Sequence, residues 1–212
     1  MDPRNIDWYF DFISPFAYLQ FKHLDRLPKD VEIRYHPVLF AGLLGHWEHK
    51  GPAEIPAKRI QTYRYCDWLS NQLGVPFKMP PHHPFNPLQV LRLAIALGQQ
   101  HDSIRVIFDY IWGEGGNVHD ETGVRELADR LEVDDVVEKL SEPTVKAQLR
   151  SNTESAIAQG VYGVPTLIIN GELFWGFDLT DMAIAYLNDS GLLETPEMKR
   201  LAGLPSAADR LG

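Results

Sequence analysis

The chain has 212 residues, 44% of them hydrophobic, which is enough to bury a substantial core in one large domain or one domain with an insertion. Twenty basic against twenty-nine acidic side chains leave a net charge of −9, so no basic field covers the surface to attract nucleic acid or anionic lipid. No apolar run approaches the roughly 20 residues of a membrane span, the opening Met1 to Asn5 lacks the basic-then-apolar order of a signal peptide, and the single cysteine, Cys66, excludes an intrachain disulfide and points to a reducing cytoplasm.

Residues Ile6 to Phe12 read as a strand, because Ile, Trp, Tyr and Phe dominate with Asp7 and Asp11 between them. Ser14-Pro15 follows as a helix start, with Ser as N-cap and Pro at the first helical position. Phe16, Leu19, Leu24 and Leu27 give that helix its apolar face, and Pro28 ends it. Val31 to Pro37 alternates Val31, Ile33 and Tyr35 against Glu32, Arg34 and His36, as a second strand does. Strand, helix, strand in this order is the opening βαβ unit of an α/β domain.

From Phe40 to Gly160 the pattern turns helical. The spacing predicts helices over Pro56–Leu73, Pro87–Gln100, Ser103–Trp112, Glu121–Leu131, Asp134–Leu140 and Pro143–Gln159. Breakers at Gly74, through the proline-rich stretch Pro76 to Pro87, and from Gly113 to Gly116 separate the first of them. Strands return in Thr166 to Ile169 and Glu172 to Trp175, joined by Asn170-Gly171, which suits a two-residue type I′ turn. Asp178-Leu179 opens a last helix to Asn188, and residues 194–212 read as a polar surface tail. The chain therefore divides into residues 1–40 plus 161–212, an α/β unit with the tail peripheral to it, and 41–160, an all-helical insertion.

Two marks carry chemistry. One is Ser14-Pro15 at the end of a strand, in Tyr9-Phe10-Asp11-Phe12-Ile13-Ser14-Pro15-Phe16-Ala17-Tyr18; the other is Gly163-Val164-Pro165-Thr166 ahead of the hairpin. With the element order and the segments FNPLQVLRLAIALG, IWGEG and YGVPTLIINGELFWGFD, the chain resembles the DsbA-like branch of the thioredoxin fold with its large helical insertion. Within that branch it resembles 2-hydroxychromene-2-carboxylate isomerases and kappa-class glutathione transferases. The likeness runs through about Asn188 and implies a cis bond at Val164–Pro165.

In redox relatives the position of Ser14 holds a cysteine of a C-x-x-C pair. Here the four residues are Ser14-Pro15-Phe16-Ala17, so dithiol–disulfide exchange is excluded and activation of a bound thiol remains. A helix N-terminus favours an anion, and a serine hydroxyl there can donate a charge-assisted hydrogen bond to a thiolate. Taken alone, Ser14 is also an ordinary helix cap.

The resemblance implies glutathione as cofactor. It puts the backbone of Val164 and Pro165 against the thiol, the γ-glutamyl end on Phe177 and Asp178, and the glycyl carboxylate on Lys58. Leu179 stands where relatives often carry Arg, and His49 where they often carry Asn. His49, Asn86 and Trp112 are the expected substrate-side residues, although Asn86 also suits a helix cap and Trp112 a core position.

The implied activity is isomerisation of an aromatic conjugated keto acid, with 2-hydroxychromene-2-carboxylate and trans-o-hydroxybenzylidenepyruvate as the pair, by a homodimer. A kappa-like transferase that releases a conjugate, and a non-catalytic thioredoxin-fold binding or chaperone module, are the alternatives. No nucleic acid or membrane partner is expected. His46, His49, His82 and His83 lack the Cys or carboxylate spacing of a metal site, and Cys66 reads as a small buried side chain.

Overall fold

The computed structural model describes residues 4–206; residues 1–3, on which the leader reading rests, and 207–212, the end of the tail, lie outside the described residues. The first strand, β1 (Arg4–Phe10), pairs in parallel with β2 (Val31–Pro37), from Arg4 opposite Val31 to Phe10 opposite Pro37. On its other side β1 meets β3 (Thr166–Ile169) antiparallel, with Trp8 opposite Leu167. The Asn170-Gly171 turn, both residues at positive φ (52° and 86°), sends β3 back into β4 (Glu172–Trp175). The sheet order is β2-β1-β3-β4, so β1 and β3 are interior and buried while β2 and β4 are edges.

Parallel β1 and β2 need a crossover. It is α1 (Pro15–Phe21) followed by a 3-10 turn, Leu24–Arg26, where the sequence predicts one helix to Leu27. An i→i+3 bond from the His23 N–H to the Gln20 carbonyl (2.8 Å) tightens the chain there, and Leu24 and Leu27 stay buried despite the break. β1 also stops two residues before the expected Phe12, because the Asp11 side chain turns the backbone.

The helical segment opens with α2 (Phe40–His46), which sequence periodicity did not reveal. α3 (Pro56–Leu73) has the expected bounds and ends on Gly74 in the left-handed region, φ 65°. α4 (Leu88–Ala96) is shorter than predicted because Gly98 and Gln99, both at positive φ, turn the chain. α5 (His101–Phe108) passes into a π-helical turn, Asp109–Gly113, in place of one helix to Trp112. Next come α6 (Glu121–Arg130), α7 (Val136–Ser141) and α8 (Pro143–Ala158). A 3-10 turn at Phe177–Leu179 leads into α9 (Thr180–Asn188), and part of the tail is an exposed helix, α10 (Pro196–Ala202). The result is a thioredoxin-like α/β core carrying a large helical insertion. Among the described residues no helix is long and apolar enough to cross a membrane.

Period-two alternation in β1 sends Trp8 and Phe10 to one face of the sheet and Tyr9 to the other. On the first face, Phe108 of α5 meets Phe10, Phe12 and Phe21 at ring distances of 5.6, 4.6 and 5.4 Å, so the insertion supplies the centre of the aromatic core. On the second face, Tyr9, Val38, Val161 and Ile168 pack with Leu43 of α2 and Ala156 of α8. One buried polar side chain joins the layers: Gln20 accepts from Trp8 Nε1 (2.6 Å) and donates to the Gly176 carbonyl (3.0 Å) and to Thr180 Oγ1 (2.9 Å). At about 1–3 kcal/mol for each buried group left unsatisfied, Gln20→Ala should lower stability by about 3 kcal/mol in urea denaturation.

Candidate functional site

Ser14 caps α1. Its backbone is extended (φ −93°, ψ 114°), and its Oγ accepts the Ala17 N–H at 3.2 Å, so the capping role expected of a Ser-Pro start is met. Only 8% of Ser14 is exposed. The hydroxyl donates to the Val164 carbonyl at 3.5 Å, a long contact for an O–H donor. Val164–Pro165 is cis.

The loop carrying Ser14 is tied down group by group. The Ser14 N–H bonds the Asp11 carbonyl (3.1 Å), and the Ile13 N–H bonds Asp11 Oδ1 (3.0 Å). The Phe12 carbonyl takes Trp112 Nε1–H at 2.8 Å, and the Ile13 carbonyl takes His83 Nε2–H at 2.8 Å. Trp112 and His83 both belong to the insertion, and their rings meet at 5.3 Å. The other His83 nitrogen contacts the Tyr63 hydroxyl at 2.6 Å. Burial lowers the His83 pKa, which favours the neutral ring. Trp112 has no exposed surface. Its expected contact with substrate is therefore replaced by a grip on the Ser14 loop.

On the opposite wall, the segment before Pro165 is held by residues at the C-terminal end of α2. Trp47 Nε1 donates to the Val161 carbonyl (2.9 Å), and His49 Nε2 lies 3.2 Å from the Tyr162 carbonyl. The Gly176 N–H donates to the Pro165 carbonyl (2.8 Å), bringing the Phe177-Asp178 turn beside Val164-Pro165. Gly163 is required for closeness, since a Cβ there would fall 2.4 Å from Trp175 Nε1. Gly176 sits at φ 90°, a conformation that side-chain-bearing residues avoid.

Ser14, Val164, Pro165, Phe177 and Asp178 are thus joined through short links, with His49 attached through Tyr162. Asp178 is exposed and makes no ion pair among the described residues. Lys58 lies exposed in the first turn of α3, and no hydrogen bond or ion pair among the described residues ties it to Ser14 or Asp178. Asn86 is exposed and its Oδ1 accepts the Leu88 N–H (3.1 Å), a capping contact at the start of α4. Two surface hollows on the insertion, one around Arg92, Arg125 and Lys146 and one around Tyr110, Glu114 and Arg130, include none of these residues.

Several residues escaped the sequence. Tyr162 and Trp175 present partly exposed rings 5.0 Å apart beside Val164, and burial, then the charge of Asp178, raise the Tyr162 pKa. Phe16 meets Tyr65 at 6.0 Å and Tyr65 stacks on Trp68, the latter two exposed, so an aromatic run extends from the first turn of α1 onto α3. Asp11 is wholly buried and burial pushes its pKa up to about 7, against the lowering effect of its bonds from the Phe40 and Ile13 N–H groups. The apolar run around Asp11 and the odd placement of a carboxyl there were the only signals available. Cys66 is fully buried in α3 and burial pushes its thiol up to about 12, so it carries no thiolate at neutral pH. Among the described residues no group of three or more His, Cys, Asp or Glu converges to hold a metal ion.

Residues 5–188 match the family described as DSBA-like thioredoxin domain. A 2-hydroxychromene-2-carboxylate isomerase of Pseudomonas putida is 28% identical over 181 residues, covering 82% of this chain and 89% of that protein. Human glutathione S-transferase kappa 1 is 21% identical over 215 residues, covering 92% and 95%. A solved 2-hydroxychromene-2-carboxylate isomerase superposes with a TM-score of 0.75 at 24% identity, over 95% of this chain and all of that one, which speaks for the fold. With residues 5–188 matched, this chain belongs to the DSBA-like thioredoxin domain family.

Proposed function

We propose that the protein is a glutathione-dependent enzyme acting on small aromatic molecules, and specifically an isomerase of an aromatic conjugated keto acid such as 2-hydroxychromene-2-carboxylate, interconverted with trans-o-hydroxybenzylidenepyruvate. The observation that carries this reading is the Ser14 hydroxyl, shielded from solvent, whose oxygen accepts the Ala17 N–H while its O–H makes only a long contact to Val164. Such a donor is free to turn to a stronger acceptor, and a thiolate is one.

The residues present fit glutathione. Ser14 offers an underused donor, Asp178 a carboxylate with no ion-pair partner among the described residues for an ammonium, and Lys58 an exposed cation for a carboxylate. When bound, glutathione supplies the sulfur nucleophile that adds to a conjugated double bond and departs after rotation. Ser14 holds that sulfur in its ionised form by a hydrogen bond. The main chain of Val164 and Pro165 would line its other side, and the Phe177 N–H and Asp178 would hold the γ-glutamyl end. Leu179 adds no cation to that end.

On the substrate side we assign the aromatic run Phe16, Tyr65 and Trp68 to stacking with an aromatic ring, with His49 at the edge of the cleft. Asn86 and Trp112 contribute by shaping the insertion. The protein is read as a cytoplasmic homodimer without nucleic-acid or membrane partners.

Removal of the Ser14 hydroxyl tests the reading. A hydrogen bond to a charged group is worth roughly 1.5–3 kcal/mol, so Ser14→Ala should slow turnover by about 10- to 100-fold and raise the pKa of the bound thiol. An unaltered rate and thiol pKa would reduce Ser14 to a cap.

The relatives bear both isomerase and transferase names, and thiol balance separates the two. An isomerase leaves free glutathione constant through many turnovers, whereas stoichiometric loss of thiol would establish the transferase. Absence of saturable glutathione binding in calorimetry would favour the non-catalytic module. Cys66→Ser should leave activity intact, since the native thiol is buried and protonated.

A further inference from the structure

We propose that Asp11 is a positioning residue for this site: its buried carboxylate ties the Ser14 loop to the start of α2, and so fixes the Ser14 hydroxyl against the Val164 main chain. The proposal rests on the glutathione reading of the previous subsection for its catalytic consequence, but its structural part stands apart from it.

Asp11 is a carboxylate with no exposed surface, and each of its oxygens serves one backbone donor. Oδ1 takes the N–H of Ile13, the residue before Ser14, at 3.0 Å; Oδ2 takes the N–H of Phe40, the first residue of α2, at 2.9 Å. The main-chain carbonyl of Asp11 takes the Ser14 N–H. From Phe40 the connection continues through α2 to Trp47, which bonds the Val161 carbonyl, and His49, which meets the Tyr162 carbonyl. Just beyond Gly163 is Val164, whose carbonyl receives the Ser14 hydroxyl. Asp11 is therefore the joint of a closed circuit that runs from Ser14 through α2 to the opposite wall and back. The side chain cannot reach substrate, so any effect on the reaction passes through Ser14.

The state of this joint depends on its proton. Burial alone drives the pKa upward, and no charged neighbour contributes. Titratable groups on the surrounding elements are engaged elsewhere: Tyr9 of β1 with Gln159, His36 of β2 with Asp7, His83 of the insertion with Ile13 and Tyr63, and His46 of α2 against Trp47. From α8 the facing group is the neutral Thr153, which accepts the Leu39 N–H. The ionised carboxylate accepts both N–H groups strongly; protonation converts one oxygen into a hydroxyl and weakens that hold.

The folded-state pKa, near 7, lies above the ordinary carboxyl value of 3.8. Asp11 thus favours folding most at low pH, and that contribution is lost as pH rises from the unfolded value through the folded one.

Asp11→Asn retains the shape but presents an amide NH2 to one of the two donors. Two measurements test the inference. In chemical denaturation, the stability of the wild type relative to Asp11→Asn should fall as pH rises from about 4 to about 7 and then level; a difference flat with pH would overturn the buried-acid joint whatever the protein's activity. With glutathione and substrate, kcat/KM of the wild type should fall by about a further tenfold as pH drops through about 7, beyond the slope of 1 set by the thiol, while Asp11→Asn lacks that step and above pH 7 turns over about tenfold more slowly.

A second pair guards against misfolding of that variant. Phe40 is the first helical position and Leu39 before it is extended (φ −84°, ψ 105°), so Phe40→Pro fits the backbone but replaces the N–H that meets Asp11 with a ring carbon, while Phe40→Ala controls for loss of the aromatic side chain. Phe40→Pro should be several-fold slower than Phe40→Ala. If Ser14→Ala impairs turnover but Phe40→Pro equals Phe40→Ala and Asp11→Asn keeps the wild-type profile, this inference fails and the glutathione reading stands. If Ser14→Ala is also silent, the failure lies with the glutathione reading.

Discussion

Four consecutive residues, Asp11 to Ser14, turn from the central strand into the first helix with little access to water, and their main-chain polar groups need partners from protein. No regular ladder can supply them. Four of those groups are met from three places: the turn itself for the Ile13 and Ser14 N–H groups, Trp112 for the Phe12 carbonyl and His83 for the Ile13 carbonyl. A buried amide or carbonyl without a partner costs about 1–3 kcal/mol. That requirement shapes the insertion, because a π-helical turn brings Trp112 to the loop and the proline-rich stretch brings His83. The helical insertion thus supplies the outer half of the loop's hydrogen bonding.

Local chemistry was readable and distant chemistry was not. The hairpin declared itself because Asn170-Gly171 has the conformations a type I′ turn demands. The ends of α3 did so because Pro56 and Gly74 are start and stop signals in their own right. Ser14, Val164 and the Asp178 turn were found by family likeness, and the fold brings them together.

The break in the first helix was hidden because Leu24 and Leu27 remain in step with a helical face even though a 3-10 turn carries them. Asp11 reads only as a carboxyl between apolar strand residues; that it would serve a helix 29 residues away is a tertiary fact. Trp112 has an apolar ring with one polar handle, and the sequence cannot say which end a site will use. α2 escaped because its seven residues, with two glycines, are too few for a period to show.

The two walls of the site lie 150 residues apart in sequence. β1 is flanked by a parallel partner from its own half and an antiparallel one from the far end, so the interior of the sheet closes only when both termini of the core have met. Such long-range pairing is the slow kind, since loop closure precedes its reward. Gln20 shows the same dependence in miniature, holding Trp8 of the first strand and Gly176 ahead of α9 with one amide.

Phe108 has a broader consequence for how such a protein can change. Its ring comes from the helical segment yet sits among Phe10, Phe12 and Phe21 of the sheet half. The segment is thus no detachable module that evolution or an engineer can trade for another while the sheet stays folded. Transplanting a foreign helical segment onto this sheet would require carrying over the plug at position 108, and with it Trp112, the loop partner in the turn that follows. The partly exposed rims, Tyr65 and Trp68 on one side and Tyr162 and Trp175 on the other, can be changed without opening the core.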